Sequence, residues 1–428
     1  MLKHTMSLLQ RNGRSVKTVL LIASACLLGL LSTTGASLPY PILPPLFAGG
    51  ASNALNSFLG LPPKLLFGVA LMINPLGLLI GSAVLGPVSD RFGRRRLLLA
   101  TAIGAAAGHA LTAAALVAGS YPLFLLARFV TGLLEGNGSI LRAMLAERLA
   151  GGLRNHALSW LNGAFHLGWL AGPLLAGFTV GAGVKVPFYI AAGALLLGAG
   201  LAALALEREA VQHVRRPGSR ADSWWKVARE RHSFTLLRHS PLRTLFNVHF
   251  AYACGVASFY EFFPLWLVDI GRYDTRQIAL VNMGMCALMT LAALFAGRAS
   301  PTEPRRRASG HAAVAAVAIL AVGLGNLWVG LAAIVLFGLP HAYYNATVQG
   351  WAADRFAVYG QGAVMGLLST TFCLANIVMA LVGGVLSLVD TRLVLIVGGL
   401  LAAWAAVAMR NWSARAVVAS VDPGVEMK

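Results

Sequence analysis

Apolar runs of about 20 residues or more, nearly free of charge, recur along almost the whole chain. An α-helix of that length crosses the hydrocarbon of a bilayer, and a single helix satisfies its own backbone hydrogen bonds there. The runs predict spans at 18–47, 66–89, 97–118, 122–146, 157–182 and 187–206. A polar stretch follows, and then 242–269, 277–297, a short 311–325, 328–352, 361–389 and 391–409. Of the 428 residues, 57% are hydrophobic and 11% charged, against about 25% charged in a soluble domain. A soluble core cannot absorb that much apolar surface.

The net charge of +19 raises the possibility of a nucleic-acid partner, but its placement argues against one. With the N-terminus set in the cytoplasm, 27 Lys and Arg residues fall on the cytoplasmic side. Five fall opposite (Lys64, Lys185, Arg272, Arg276 and Arg392), and Arg128 and Arg142 lie within a span. This asymmetry is topological. It predicts a multi-pass protein of the inner (plasma) membrane with both termini cytoplasmic, and no nucleic-acid partner. Basic residues before an apolar stretch and small residues near Ala36 imitate a signal peptide, but the run continues through Pro39 to Phe47, as an uncleaved helix would. The cysteines Cys26, Cys254, Cys286 and Cys373 lie apart in apolar runs, with no metal-binding spacing.

The polar stretch follows the sixth span and divides the chain into 1–206, a linker 207–241, and 242–428. Trp224, Trp225, Phe234 and Leu236 among its basic residues fit an interfacial segment, and a disordered linker fits equally. A shift of 207 residues places Glu147-Arg148 on Asp354-Arg355, Phe165 on Phe372, Leu167 on Leu374, and Ala176-Gly177 on Gly383-Gly384. Such an echo suggests duplication, the way many transporters build a midplane site.

The loop after the second span reads Gly86-Pro87-Val88-Ser89-Asp90-Arg91-Phe92-Gly93-Arg94-Arg95-Arg96. Gly93 permits a tight turn, Asp90 can cap or pair with a helix end, and the arginines anchor the loop and can hold a carboxylate. The loop resembles the signature between the second and third helices of the major facilitator superfamily. The resemblance extends over nearly the whole chain through span count, linker and half-repeat. It implies an all-α membrane protein, twelve transmembrane helices in two six-helix pseudo-symmetric halves. It also implies a cytoplasmic latch formed by Gly86, Asp90, Arg91, Gly93, Arg94 and Arg95, with Glu147 as partner. The matching loop of the second half is degenerate, with Gly297-Arg298 followed by a Pro-rich stretch before Arg305-Arg306-Arg307.

Leu126-Ala127-Arg128-Phe129-Val130-Thr131-Gly132 resembles the family's fourth-helix arginine motif, linked in proton-coupled members to proton transfer. Gly168, Gly172, Pro173 and Gly177 lie in a segment resembling the fifth-helix motif of drug:proton antiporters. Ala176 there replaces a glycine, and Ser159 takes the upstream glycine position. Read from the residues alone, the small side chains let helices approach closely and Pro173 bends the helix.

Arg128, Glu135 and Arg142 are spaced by seven, almost two turns, which places them on one face of span 4. Charges inside a membrane are costly and face an interior cavity. Glu135 either carries a proton or neutralises the arginines. Glu261 in span 7 is the second coupling candidate, against a snorkelled surface charge. His166, His249 and His341 lie within spans and suit proton shuttling or structural hydrogen bonding. The span-7 aromatics Tyr252, Phe259, Tyr260, Phe262 and Phe263 form a substrate wall or ordinary packing.

No GxxxxGK[ST] loop and no catalytic or metal constellation appears, so the chain reads as neither an ATP-driven pump nor an enzyme, with no cofactor. The expected function is secondary transport by alternating access: proton-coupled export of small amphipathic compounds by a monomer. The alternatives are a nutrient or metabolite importer on the same fold, and a non-transporting membrane sensor or assembly protein.

Overall fold

The structure is a computed structural model, and it describes residues 16–206, 233–296, 303–359 and 361–412. Every regular element among the described residues is helical. Span 1 comprises two helical segments, Val16–Ser37 and Pro39–Ala48. Pro39 opens the second segment, where its missing N–H costs nothing. Spans 2 and 3 are Pro63–Phe92 and Arg94–Ala118. Gly93 between them has φ 91°, a conformation that side chains with a Cβ rarely adopt. Span 4 is broken into Tyr121–Glu135 and Gly138–Arg148, and spans 5 and 6 are Gly151–Thr179 and Val186–Ala205. After the turn Ser233–Arg238, span 7 runs Ser240–Gly271, beginning inside the expected linker. Trp224 and Trp225 lie outside the described residues. Spans 8 to 12 are Thr275–Ala296, Pro304–Gly323, Leu327–Arg355, Gln361–Leu386 and Thr391–Asn411.

The twelve spans are those the apolar runs predict, and span 9 is longer than expected. Its helix starts at Pro304 and takes in Arg305, Arg306 and Arg307, charges that conceal a helix start from a hydropathy reading. Among the described residues, nine spans are by length and composition long and apolar enough to cross a membrane. The other three are the broken span 4, span 8, and the arginine-led span 9. Asp390 caps span 12, accepting from Arg392 N at 2.8 Å and from its guanidinium Nε at 2.8 Å. The Arg392 contacts hold the Asp390 carboxyl below the usual carboxylate range.

The chain forms two compact units. The first holds the described residues within Met1–Ile42, Asn53–Phe58 and Ile73–Glu230, and the second those within Leu43–Ser52, Leu59–Met72 and Arg231–Lys428. In the first, span 1 packs on spans 5 and 6, and span 3 on spans 4 and 6. Leu28, Leu98, Ile140, Met144, Leu161 and Ala202 form its apolar centre. The approach of spans 1 and 5 depends on small residues, because a methyl on Gly168 would lie 2.6 Å from Leu30 O. Gly172 faces Thr34 and Ser37 in the same seam, and the Ser37 hydroxyl donates to Gly168 O at 3.1 Å.

In the second unit, span 7 packs on spans 11 and 12, span 9 on spans 10 and 12, and span 8 on span 10. Span 7 is its interior element: from Val248 to Val268 every residue but Phe250 and Tyr260 is buried. The Phe67 end of span 2 belongs to this unit. Phe67 meets Phe262 edge-on at 5.8 Å, and a methyl on Gly68 would lie 2.5 Å from Ala380 O. Lys64 Nζ pairs with Asp269 at 2.7 Å, and Thr391 donates to the same carboxylate oxygen at 2.6 Å.

Candidate functional site

The first unit buries a cluster of ionisable groups where span 4 breaks. Glu135 ends the first helical segment, and the run Gly136-Asn137-Gly138 follows. Glycine favours interruption there, since it weakens a helix interior by about 1 kcal/mol relative to alanine. Glycine also brings span 2 against span 4. A methyl on Gly136 would lie 2.5 Å from Ser82 N, and one on Gly77 2.8 Å from Leu133 N. This seam carries Asn74 to the cluster, where its side-chain amide donates to Arg128 O at 3.2 Å and to Glu135 Oε2 at 3.5 Å.

Glu135 is buried, and its Oε1 lies 2.9 Å from His109 Nε2 of span 3. His109 is fully buried, with its ring 6.4 Å from that of Phe188. Arg128 is buried as well. Its Nη2 donates to Ala36 O at 3.2 Å, and its Nη1 has no hydrogen-bond partner among the described residues. Glu135 and Tyr40 both act electrostatically on Arg128. His109 escaped the sequence reading. The available signal was a lone titratable residue in the small-residue run Gly104-Ala105-Ala106-Ala107-Gly108-His109-Ala110.

Arg142 lies beyond the turn at Gly136 and Asn137 that separates the two helical segments of span 4. Arg142 is exposed, with its guanidinium 5.0 Å from the Phe165 ring centroid. His166 of span 5 is exposed too.

The second unit gathers a different set. His249 Nδ1 lies 3.4 Å from the Tyr344 hydroxyl, and His341 Nδ1 lies 3.1 Å from the Tyr252 hydroxyl. His341 Nε2 is 3.0 Å from the Asn345 amide nitrogen. Tyr252 and Tyr344 stack at 3.6 Å, and Phe259 and Phe337 pack at 4.0 Å. Tyr252, Phe259 and Tyr260 thus pack against span 10, while Phe262 meets Phe67 of span 2. Glu261 is fully buried, not snorkelled, and both its carboxylate oxygens lack a hydrogen-bond partner among the described residues.

In the loop after span 2, Arg94 forms a two-pronged pair with Glu147, with Nε 2.5 Å from Oε2 and Nη2 against Oε1. Arg94 Nη1 also donates to Ser89 Oγ at 3.0 Å. Arg95 ties the end of span 6, donating to Leu206 O at 2.9 Å and Ala203 O at 2.6 Å. Cationic donors suit the last carbonyls of a helix. Gly86 is loosely surrounded, its missing Cβ 3.9 Å from Ser139 Oγ. The side chains of Asp90 and Arg91 lie outside the described residues. Gly168 and Gly172 serve the span 1 seam, and Pro173 and Gly177 are buried beside them.

Comparison with known proteins places this architecture. The chain is 32% identical over 170 residues to the class B tetracycline resistance protein of Escherichia coli, a match covering 39% of each protein. It is 31% identical over 165 residues to the class C protein of the same organism, covering 38% of each. The match thus spans about two fifths of the length of these curated relatives. The crystal structure of the human organic anion transporter MFSD10 is 19% identical, with a TM-score of 0.67, covering 92% of this chain and 100% of that one. The D-xylose-proton symporter is 17% identical, with a TM-score of 0.70, covering 92% and 98%. These two share the fold. Residues 25–325 match the profile of the Major Facilitator Superfamily, and this multi-pass membrane protein belongs to that family.

Proposed function

We propose that the chain is a proton-coupled exporter of small amphipathic compounds, with tetracycline-like molecules as the first substrates to test. The carrying observation is the buried carboxylate of Glu135, held against His109 and near Arg128 inside a membrane-spanning unit. An ionised group at such depth is costly, by about 2.5–3.5 kcal/mol on insertion scales. A conformational change that alters its neighbours therefore changes its tendency to hold a proton, which is the link coupled transport requires. Glu261 is the second coupling carboxylate in this reading, since it is buried within span 7 with neither oxygen hydrogen-bonded among the described residues. The similarity to tetracycline resistance proteins supports the substrate class and the outward direction.

The reading includes a latch in which Arg94 holds Glu147, and a monomer in the inner membrane with both termini cytoplasmic. Everted membrane vesicles carrying the protein test it. Acidified inside by respiration, they should accumulate tetracycline and release protons when it is added. Glu135→Gln should reduce this coupled flux at least tenfold while leaving protein abundance unchanged. Undiminished coupled flux in that variant would remove Glu135 from the mechanism. Uptake by intact cells, opposite in direction, would make the protein an importer.

A further inference from the structure

We propose that the end of the second unit where spans 9, 10 and 12 converge binds an anionic phospholipid, its headgroup held by Arg305, Arg307 and Arg410 and its acyl chains lying along span 9. Helix register assembles the site. Ser309 of span 9 donates to Ala406 O of span 12 at 2.8 Å, and at the far end of span 9 Gly323 faces Ile396 near the start of span 12. The two helices therefore run antiparallel. Arg305 and Arg410 each stand four residues beyond the Ser309–Ala406 contact, about 6 Å along the axis, at the same end of the unit. Arg307 stands one turn beyond His311, whose ring stacks on Tyr343 of span 10 at 5.2 Å. Span 9 thus places one arginine on its face toward span 12 and another on its face toward span 10.

The occupant follows from charge, depth and shape. Arg305 is partly buried, and its Nη1 is buried with no hydrogen-bond partner among the described residues. A buried cationic donor left unpaired is costly, and a phosphate oxygen would satisfy it. Glu303 is engaged by Arg306 at 3.4 Å, and none of Arg305, Arg307 and Arg410 is in an ion pair among the described residues. Three unneutralised cations favour a headgroup of net negative charge over a zwitterionic one. Two residues past Arg410, Trp412 meets Trp351 of span 10 edge-on at 5.4 Å, and Phe356 lies 5.6 Å from Trp351. Tryptophan gathers at headgroup depth, which sets the arginines at the membrane surface. Along span 9 from Arg307, Gly310, Val314 and Val317 recur on one face and are exposed, the two valines by 57% and 66%. A small anion would leave this apolar lane uncovered, whereas a phospholipid covers the lane and the charges together.

Native mass spectrometry of the full-length protein released from detergent tests this, with dioleoyl phosphatidylglycerol as the probe and dioleoyl phosphatidylcholine as its zwitterionic counterpart. Phosphatidylglycerol should stay bound at collision energies that strip phosphatidylcholine, and millimolar inorganic phosphate should not displace it. In Arg305→Gln/Arg307→Gln/Arg410→Gln the bound fraction should fall at least about fivefold. Arg272→Gln/Arg276→Gln/Arg392→Gln removes equal charge elsewhere in the same unit and should bind as the wild type does. Equal retention of the two lipids, or an undiminished bound fraction in the first variant, would overturn the site. An equal loss in the second variant would replace it with general charge attraction, and displacement by phosphate with a small-anion site. Size-exclusion elution and thermal unfolding without added lipid establish that each variant is folded. The comparison of lipids and the phosphate competition use the wild type alone, so the proposal can fail even where a variant does not fold.

Discussion

Glu135 has its neighbours because the residues around it lack side chains. Gly35 admits His109, and Gly77, Gly132 and Gly136 let the backbones of spans 2 and 4 touch, which brings Asn74 within reach. Inside lipid, where apolar burial supplies little drive between helices, such close packing does much of the work of association. The seam between spans 1 and 5 makes the principle measurable. Gly168→Ala would put a methyl 2.6 Å from Leu30 O and 2.8 Å from Thr33 Cβ. Overpacking of this kind should cost about 1–3 kcal/mol, read as a lower unfolding temperature in detergent. Unchanged stability would mean the two helices can part without loss.

At the scale of elements, two ties join helix ends. Arg94 at the start of span 3 holds Glu147 at the end of span 4, and Lys64 at the start of span 2 holds Asp269 near the end of span 7. Thr391 supplies a third member of the second tie by bonding the same Asp269 oxygen. The Lys64 and Asp269 side chains are 27% and 25% exposed, so solvent screens the attraction. A double-mutant cycle with Lys64→Met and Asp269→Asn should return a coupling of about 0.2–1 kcal/mol in unfolding free energy. Strictly additive single effects would show that the contact adds no stability. The spans themselves were legible in the sequence because each is a long apolar run. The turn at Gly136 and Asn137 within span 4 was not, because glycine and asparagine also occur inside unbroken spans.

At the scale of the molecule, the compact units do not coincide with the two sequence halves. Residues 43–52 and 59–72 precede the linker, yet they pack in the second unit, where Phe67 meets Phe262 and Gly68 meets span 11. A chain cut in the linker should therefore accumulate when 1–206 and 242–428 are co-expressed. The 242–428 fragment alone should be degraded, as judged by immunoblot of membranes. Equal survival of the lone fragment would show that Phe67 and Gly68 are dispensable to its packing.

The amino-acid sequence by itself determined the membrane, the helices and the family resemblance. Each of these is written in local composition: apolar length sets a span, basic residues set the expected sidedness, and Asp90 to Arg96 form a contiguous motif. It also marked Glu135 and Glu261, since a carboxylate in an apolar run is conspicuous without any structure. Only the tertiary structure brought His109 to Glu135 and left Glu261 buried without a hydrogen-bond partner among the described residues. Those outcomes depend on how closely backbones approach and on which turn a helix breaks. Glycines on separate spans decide the first, as Gly35 does for His109, and nothing local in the chain says which of them will meet.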